Sequence, residues 1–156
     1  MVMAMTMRKF LEDQQVPFEE LRHPRAVTSS MIAEQAHIPG DRLAKAVLIK
    51  SDSGYRVALV PGSRKAGLID LSHWLHERLG LASEDEVAQC FDDCDPGALP
   101  ALGQAYGLPV CYDDALAEQP EIYFEAGDHE TLVHISGSSF RKLMGDAEHG
   151  CFSHRL

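Results

Sequence analysis

Long apolar runs are missing from this chain, and so is any surplus of positive charge. No segment approaches the roughly 20 apolar residues of a membrane span, so no membrane partner is expected. Met1 to Met7 is rich in methionine, but Arg8, Lys9, Glu12 and Asp13 follow directly, leaving neither the apolar core nor the cleavage site of a secretory signal; a cytoplasmic location is the expectation. Lys and Arg number 14 against 24 Asp and Glu, a formal net charge of −10, which speaks against a general polyanion binder. The 4 cysteines (Cys90, Cys94, Cys111, Cys151) have no framework rhythm, so free thiols are expected. No Cys-x-x-Cys, His-Glu-x-x-His, Gly-x-Ser-x-Gly, phosphate-binding loop or dinucleotide fingerprint occurs, which removes the usual signatures of zinc, serine-triad and nucleotide-dependent enzymes. Neither a catalytic metal nor a cofactor is expected.

What is present suits a globular fold. At 156 residues and 45% hydrophobic content the chain can bury one core and has no room for a second domain. Met7, Phe10 and Leu11 recur at helical spacing until Val16-Pro17, and Phe18 to Leu21 reads as extended. Thr28 can cap a helix to about His37, burying Met31, Ile32 and Ala36, with Pro39-Gly40 as its stop. Ala46 to Lys50 and Tyr55 to Val60 are strands joined by the turn Ser51-Asp52-Ser53-Gly54. A helix capped by Asp70 should carry Leu71, Trp74, Leu75 and Leu79 to a stop at Gly80, and Ser83 to Glu86 form a capping box. Asp92 to Pro100 must be loop. Val110 to Tyr112, Glu121 to Glu125 and Thr131 to Ile135 read as strands, followed by a helix from Ser138 or Ser139 that ends at Gly145. Adjacent strand pairs with dispersed helices predict an α+β domain with a mixed, largely antiparallel sheet. Residues 1–22 form its opening helix and lead-in strand, 23–145 its core, and 146–156 a tail expected to fray.

Three separated pieces could do chemistry. Lys45 enters an apolar strand and can project its ammonium into a cleft. The turn Gly97-Ala98-Leu99-Pro100, followed by Gly103, can bring backbone N–H groups close to a ligand, since glycine lacks Cβ. His129, after Gly127, offers an imidazole in a strand connection. A cation, an oxyanion-binding loop and a proton-transfer group are a kit for hydrolysing an ester. His73 and His76 share a helix face, and Cys90 and Cys94 bracket a helix end, but neither pair has the further ligands zinc wants.

In this order the pieces, from about His23 to Met144, resemble the prolyl-tRNA editing domains and the YbaK-like aminoacyl-tRNA deacylases. The resemblance implies a strongly curved mixed sheet flanked by helices, and it marks Lys45, Gly97 and His129 as catalytic. It also places His23, Thr28, Ala98, Leu99, Pro100, Gly103 and Gly127 at the substrate, with the lysine needed for deacylation. The tRNA's own ribose hydroxyl would help to activate water, and no cofactor is used.

The expected function is therefore trans-editing: hydrolysis of a small, wrongly attached amino acid from tRNA, most plausibly tRNA for proline. The partners would be the acceptor end of aminoacyl-tRNA and an aminoacyl-tRNA synthetase; the oligomeric state is not readable from the sequence, with a monomer favoured. Arg42, Lys45, Lys50, Arg64 and Lys65 would give it one basic face despite the acidic total. Two alternatives stay open: a non-catalytic tRNA- or synthetase-binding module of the same fold, and a hydrolase of a small ester unrelated to tRNA.

Overall fold

The computed structural model describes residues 4–26 and 28–155. Helix α1 (Met5–Asp13) buries Met7 and Leu11, and strand β1 (Glu19–Arg22) follows it. Thr28 caps α2 (Ser29–Ala36), its hydroxyl accepting from the Met31 N–H at 3.2 Å, and His37 closes the helix in the left-handed region. Ile32 and Ala33 face inward. Met31, expected inside, is exposed, because it lies roughly 100° around the helix from Ile32.

The predicted hairpin forms from β2 (Ala44–Ser51) and β3 (Gly54–Pro61), with Lys50 opposite Tyr55. After β4 (Arg64–Ala66), helix α3 (Leu68–Leu75) starts three residues earlier than the sequence suggests. Gly67 stands at its N-cap, and Asp70 instead accepts from His154 Nε2 at 2.6 Å. Gly80 begins β5 (Gly80–Leu81); the left-handed His76 is what ends α3. The capping box of Ser83 and Glu86 opens α4 (Glu84–Cys90) as predicted. Then come β6 (Val110–Asp113), the short helix α5 (Asp114–Ala117), β7 (Glu121–Glu125), β8 (Thr131–Ser136) and α6 (Gly137–Met144). Ser136 caps α6, ahead of the two serines expected to do so.

The tail expected to fray carries two short strands. Strand β9 (Glu148–Gly150) pairs with β6 and β10 (Ser153–Arg155) with β4. The cause is the buried carboxylate of Asp113, whose Oδ2 accepts from the Phe152 and Ser153 N–H groups at 3.0 Å each and from the Ser153 hydroxyl at 2.8 Å. That clamp seats Phe152, 1% exposed, against Trp74.

The strands form a mixed five-stranded sheet in the order β5-β2-β3-β6-β9, an antiparallel three-stranded sheet β1-β8-β7, and the pair β10-β4. Among the described residues only the strand pairs β3-β6 and β6-β9 run parallel, so the fold is α+β with a mostly antiparallel sheet flanked by helices. The main core lies between the two larger sheets and includes Leu48, Leu59, Phe91, Phe124, Val133 and Phe140. A smaller core on the other side of the hairpin holds Ile49, Val60, Leu71 and Phe152. Among the described residues no helix is long and apolar enough to cross a membrane.

Candidate active site

Leu43 bridges Tyr123 in parallel, and this contact joins the entry of β2 to β7. At the seam opens a cavity of about 330 Å³. Its walls are Leu43 to Ala46 and Gly62 from the hairpin side, Thr28 to Ser30 at the start of α2, Gly97 and Leu99 from the loop, and Glu125 at the end of β7. Lys45, Gly97, Leu99 and Thr28, far apart in the chain, thus meet at one space.

Strand alternation sets Lys45 opposite to Ala44 and Ala46, on the face it shares with Val47 and Ile49. Its ammonium donates to the Arg64 carbonyl oxygen at 2.7 Å, which fixes the long side chain. Burial lowers its pKa below the usual lysine value. It forms no ion pair among the described residues, so its charge is available to an anionic ligand.

The loop from Asp95 to Leu99 is tied to the β7–β8 connection at two points. The Asp95 N–H donates to the Gly127 carbonyl oxygen at 2.7 Å, and His129 Nε2 donates to the Pro96 carbonyl oxygen at 2.5 Å. His129 itself sits at φ 61°, and a buried carboxylate stabilises that turn: Asp128 Oδ1 accepts from the Glu130 and Thr131 N–H groups at 3.0 and 2.8 Å, while Oδ2 accepts from the Thr131 hydroxyl at 2.9 Å. Gly97 has φ 80°, and a Cβ there would meet His129 Cε1 at 3.4 Å. The Ala98 N–H is spent on the Asp95 carbonyl. Those of Gly97 and Leu99 have no partner among the described residues, and both residues line the cavity.

The remaining expected substrate contacts lie elsewhere. Ala98 and Pro100 are buried in the protein, away from the cavity wall. Gly103 is a packing glycine: a Cβ would come within 2.7 Å of Val57 Cγ2 and 2.9 Å of Val110 Cγ2. Gly127 packs on Ala4 and Cys94 and serves the loop through its carbonyl. His23 is buried, its N–H donating to the Glu130 carbonyl and its Nδ1 to the Pro24 carbonyl, so it anchors the segment before α2. His129 is 3% exposed and stands behind Gly97 instead of lining the cavity, because the Pro96 carbonyl captures its ring.

One titratable wall residue escaped the sequence reading. Glu125 lines the cavity with its carboxyl largely buried, and burial, reinforced by the nearby Asp128 charge, pushes its pKa up to about 8. The only signal was an acid at the inner end of a strand, two residues before Gly127. Cys94, close to the loop, is no nucleophile, since burial pushes its thiol up to about 12. The basic face is smaller than expected: Arg42 pairs with Glu121 at 3.3 Å and Lys50 with Glu86 at 2.8 Å. Lys45, Arg64 and Lys65 remain without ion pairs among the described residues.

Comparison with known proteins now decides the family. The model of the aminoacyl-tRNA editing domain matches residues 23–143, most of the chain and every element around the cavity. The chain belongs to the aminoacyl-tRNA editing domain family. None of the curated proteins compared with this editing domain matches it. Its fold recurs in a solved structure described as a proposed trans-editing enzyme for prolyl tRNA synthetase, with TM-score 0.82 and 19% identity over 97% of this chain and 96% of that one. A hypothetical protein of known structure superposes with TM-score 0.84 at 14% identity, covering 96% of this chain and 99% of that one. A structure described as a proposed signal transduction protein from Marinobacter aquaeolei VT8 carries the same fold in a longer chain, with TM-score 0.77 and 21% identity over 95% of this editing domain and 30% of that protein.

Proposed function

We propose that this editing domain is a trans-editing hydrolase that removes a small, wrongly attached amino acid from tRNA, with tRNA for proline as its substrate. The observation that carries the reading is the meeting of Lys45 with Gly97 and Leu99 around one cavity in a chain of this family. Water is the nucleophile. The Lys45 ammonium holds the anionic 3′ end of the tRNA beside the ester, and the two loop N–H groups receive the oxyanion as the carbonyl becomes tetrahedral. His129 keeps that loop in place through Pro96. Thr28 shapes the amino acid end of the cavity by fixing the start of α2.

Such an enzyme has an energetic purpose. A synthetase pocket separates amino acids that differ by one methylene by only about 1–3 kcal/mol, so a second and smaller site is needed to remove the impostors. Incubating the protein with a panel of tRNAs, each charged with a different small amino acid, tests the proposal and names the substrate. Hydrolysis by the wild type that is lost in Lys45→Ala supports it. Binding of charged tRNA without turnover would replace it with a binding module, and cleavage of free aminoacyl esters alone would replace it with a small-ester hydrolase. Binding through Lys45 and its basic neighbours should also weaken as salt rises.

A further inference from the structure

Lys45 and Glu125 are the only titratable side chains on the cavity wall among the described residues. The lysine ammonium has no lone pair with which to take a proton, so the carboxyl holds the proton chemistry. Its setting suits that work. Glu125 Oε1 is buried and unpartnered among the described residues, and 3.6 Å away stands His129 Nδ1, also buried and unpartnered. The far side of the imidazole is fixed, for the Pro96 carbonyl can only accept, and Nε2 must therefore carry the proton that it shares with that oxygen.

In a neutral ring Nδ1 is then a bare lone pair. A lone pair opposed to a carboxylate oxygen, both out of water, is repulsive, so a proton belongs between them. Burial favours that proton on the Glu125 carboxyl. The groups packed around the pair favour keeping it. Asp128 adds negative charge from the β7–β8 turn, though its own oxygens are taken by Glu130 and Thr131. Lys45, from β2, shares the cavity, but it is held by the Arg64 carbonyl and makes no ion pair with Glu125. Cys94 and Asp95 approach the turn at Gly127, and Arg25 reaches only the Asp128 carbonyl, at 3.4 Å.

We propose that Glu125 is the acid–base group of the deacylation, with His129 as the positioning residue behind it. The inference rests on the deacylase reading above. With Glu125 ionised, the water oxygen bonds to the ester carbonyl carbon and passes one proton to the Glu125 carboxylate. The carbonyl electron pair moves to its oxygen, facing the loop N–H groups. Collapse re-forms the carbonyl and breaks its bond to the ribose oxygen, and the proton on Glu125 goes to that leaving oxygen. Free amino acid and a ribose hydroxyl result, the pair returns to its starting protonation, and no reactant beyond water is used. A carboxyl raised to about 8 both takes and gives a proton near neutral pH, as an ordinary carboxyl does not.

The test is the rate of amino acid release from mischarged tRNA across pH 5.5 to 8.5, after subtracting hydrolysis without enzyme, for wild type, Glu125→Gln and Glu125→Asp. The expected result is a wild-type rate that rises with pH through an apparent pKa well above the carboxylate range, a fall of about 10²–10⁴-fold in Glu125→Gln with KM little changed and that limb lost, and a weaker but still pH-dependent Glu125→Asp. Carboxyl carbon NMR of the folded wild type adds a readout that needs no variant, with the Glu125 signal expected to titrate above pH 6. An unchanged rate and pH profile in Glu125→Gln overturns the proposal, above all if a substrate with a 2′-deoxy terminal adenosine is inert, since the tRNA hydroxyl would then do this work. Loss of activity in Lys45→Ala would in that case still uphold the deacylase reading, whereas a wild type inert on every charged tRNA overturns both.

Discussion

The imidazole of His129 donates from Nε2 to the carbonyl oxygen of Pro96 across 33 residues of chain, and this bond lashes the glycine loop to the turn between β7 and β8. The histidine thereby acts on the cavity through the loop it holds. Substituting His129→Ala should release residues 96–99 and cost about 10²-fold in deacylation, the scale of a displacement of roughly 1 Å at a reacting centre. Stability should fall by about 1–3 kcal/mol, because the Pro96 carbonyl loses its donor. Single-turnover kinetics and urea unfolding of the same preparation measure the two effects.

Gly97 and Gly103 separate chemistry from packing. In Gly97→Ala the new Cβ must accept φ 80° and face His129 Cε1 at 3.4 Å, so a loss of roughly 1–2 kcal/mol in stability should accompany a disproportionate loss of activity. Gly103→Ala drives a methyl into Val57 and Val110 and should cost about 1–3 kcal/mol, while the fraction that remains folded keeps its turnover. Comparing kcat per folded molecule for the two variants checks the distinction.

The buried Glu125 carboxyl gives stability a pH dependence of known sign. Its folded pKa, about 8, lies above the ordinary 4.5, so between those values the native state binds more protons than the unfolded one. Its contribution to stability must therefore decline as pH rises from about 4.5 through about 8 and level off beyond. Glu125→Gln removes that decline. Denaturation at pH 5 and pH 8.5 should show the variant gaining on the wild type at the higher pH, by on the order of a few kcal/mol.

The C-terminal segment is a structural part of the domain. Phe152→Ala removes a ring stacked on Trp74 at 5.7 Å and should cost about 3–5 kcal/mol, read as a lower urea midpoint. Asp113→Asn should weaken the same clamp, since the carboxylate serves three donors from Phe152 and Ser153.

These variants also mark the limits of what the sequence discloses. The Ser51 to Gly54 turn, the Ser83 capping box and the Thr28 cap are written in a few adjacent residues, and each was legible because its hydrogen bonds are local. Lys45 was legible as a cation entering an apolar strand. The strands at 148–150 and 153–155 were not, for each is three residues long and exists only through partners some 40 to 90 positions away. Gly97 and Gly103 look alike in the chain, and only the packing of Val57 and Val110 against Gly103 tells them apart. Glu125 reads as a solvent-facing strand residue until the loop at 95–99 closes over it, which is also why its pairing with His129 could not be foreseen.

The most direct measurement follows release of a labelled small amino acid from mischarged tRNA for proline, with wild type and Lys45→Ala side by side and both shown to be folded. Hydrolysis well above the enzyme-free rate by the wild type, falling at least about 10²-fold in the variant, is the predicted result. Equal rates in the two proteins would contradict a site built around Lys45.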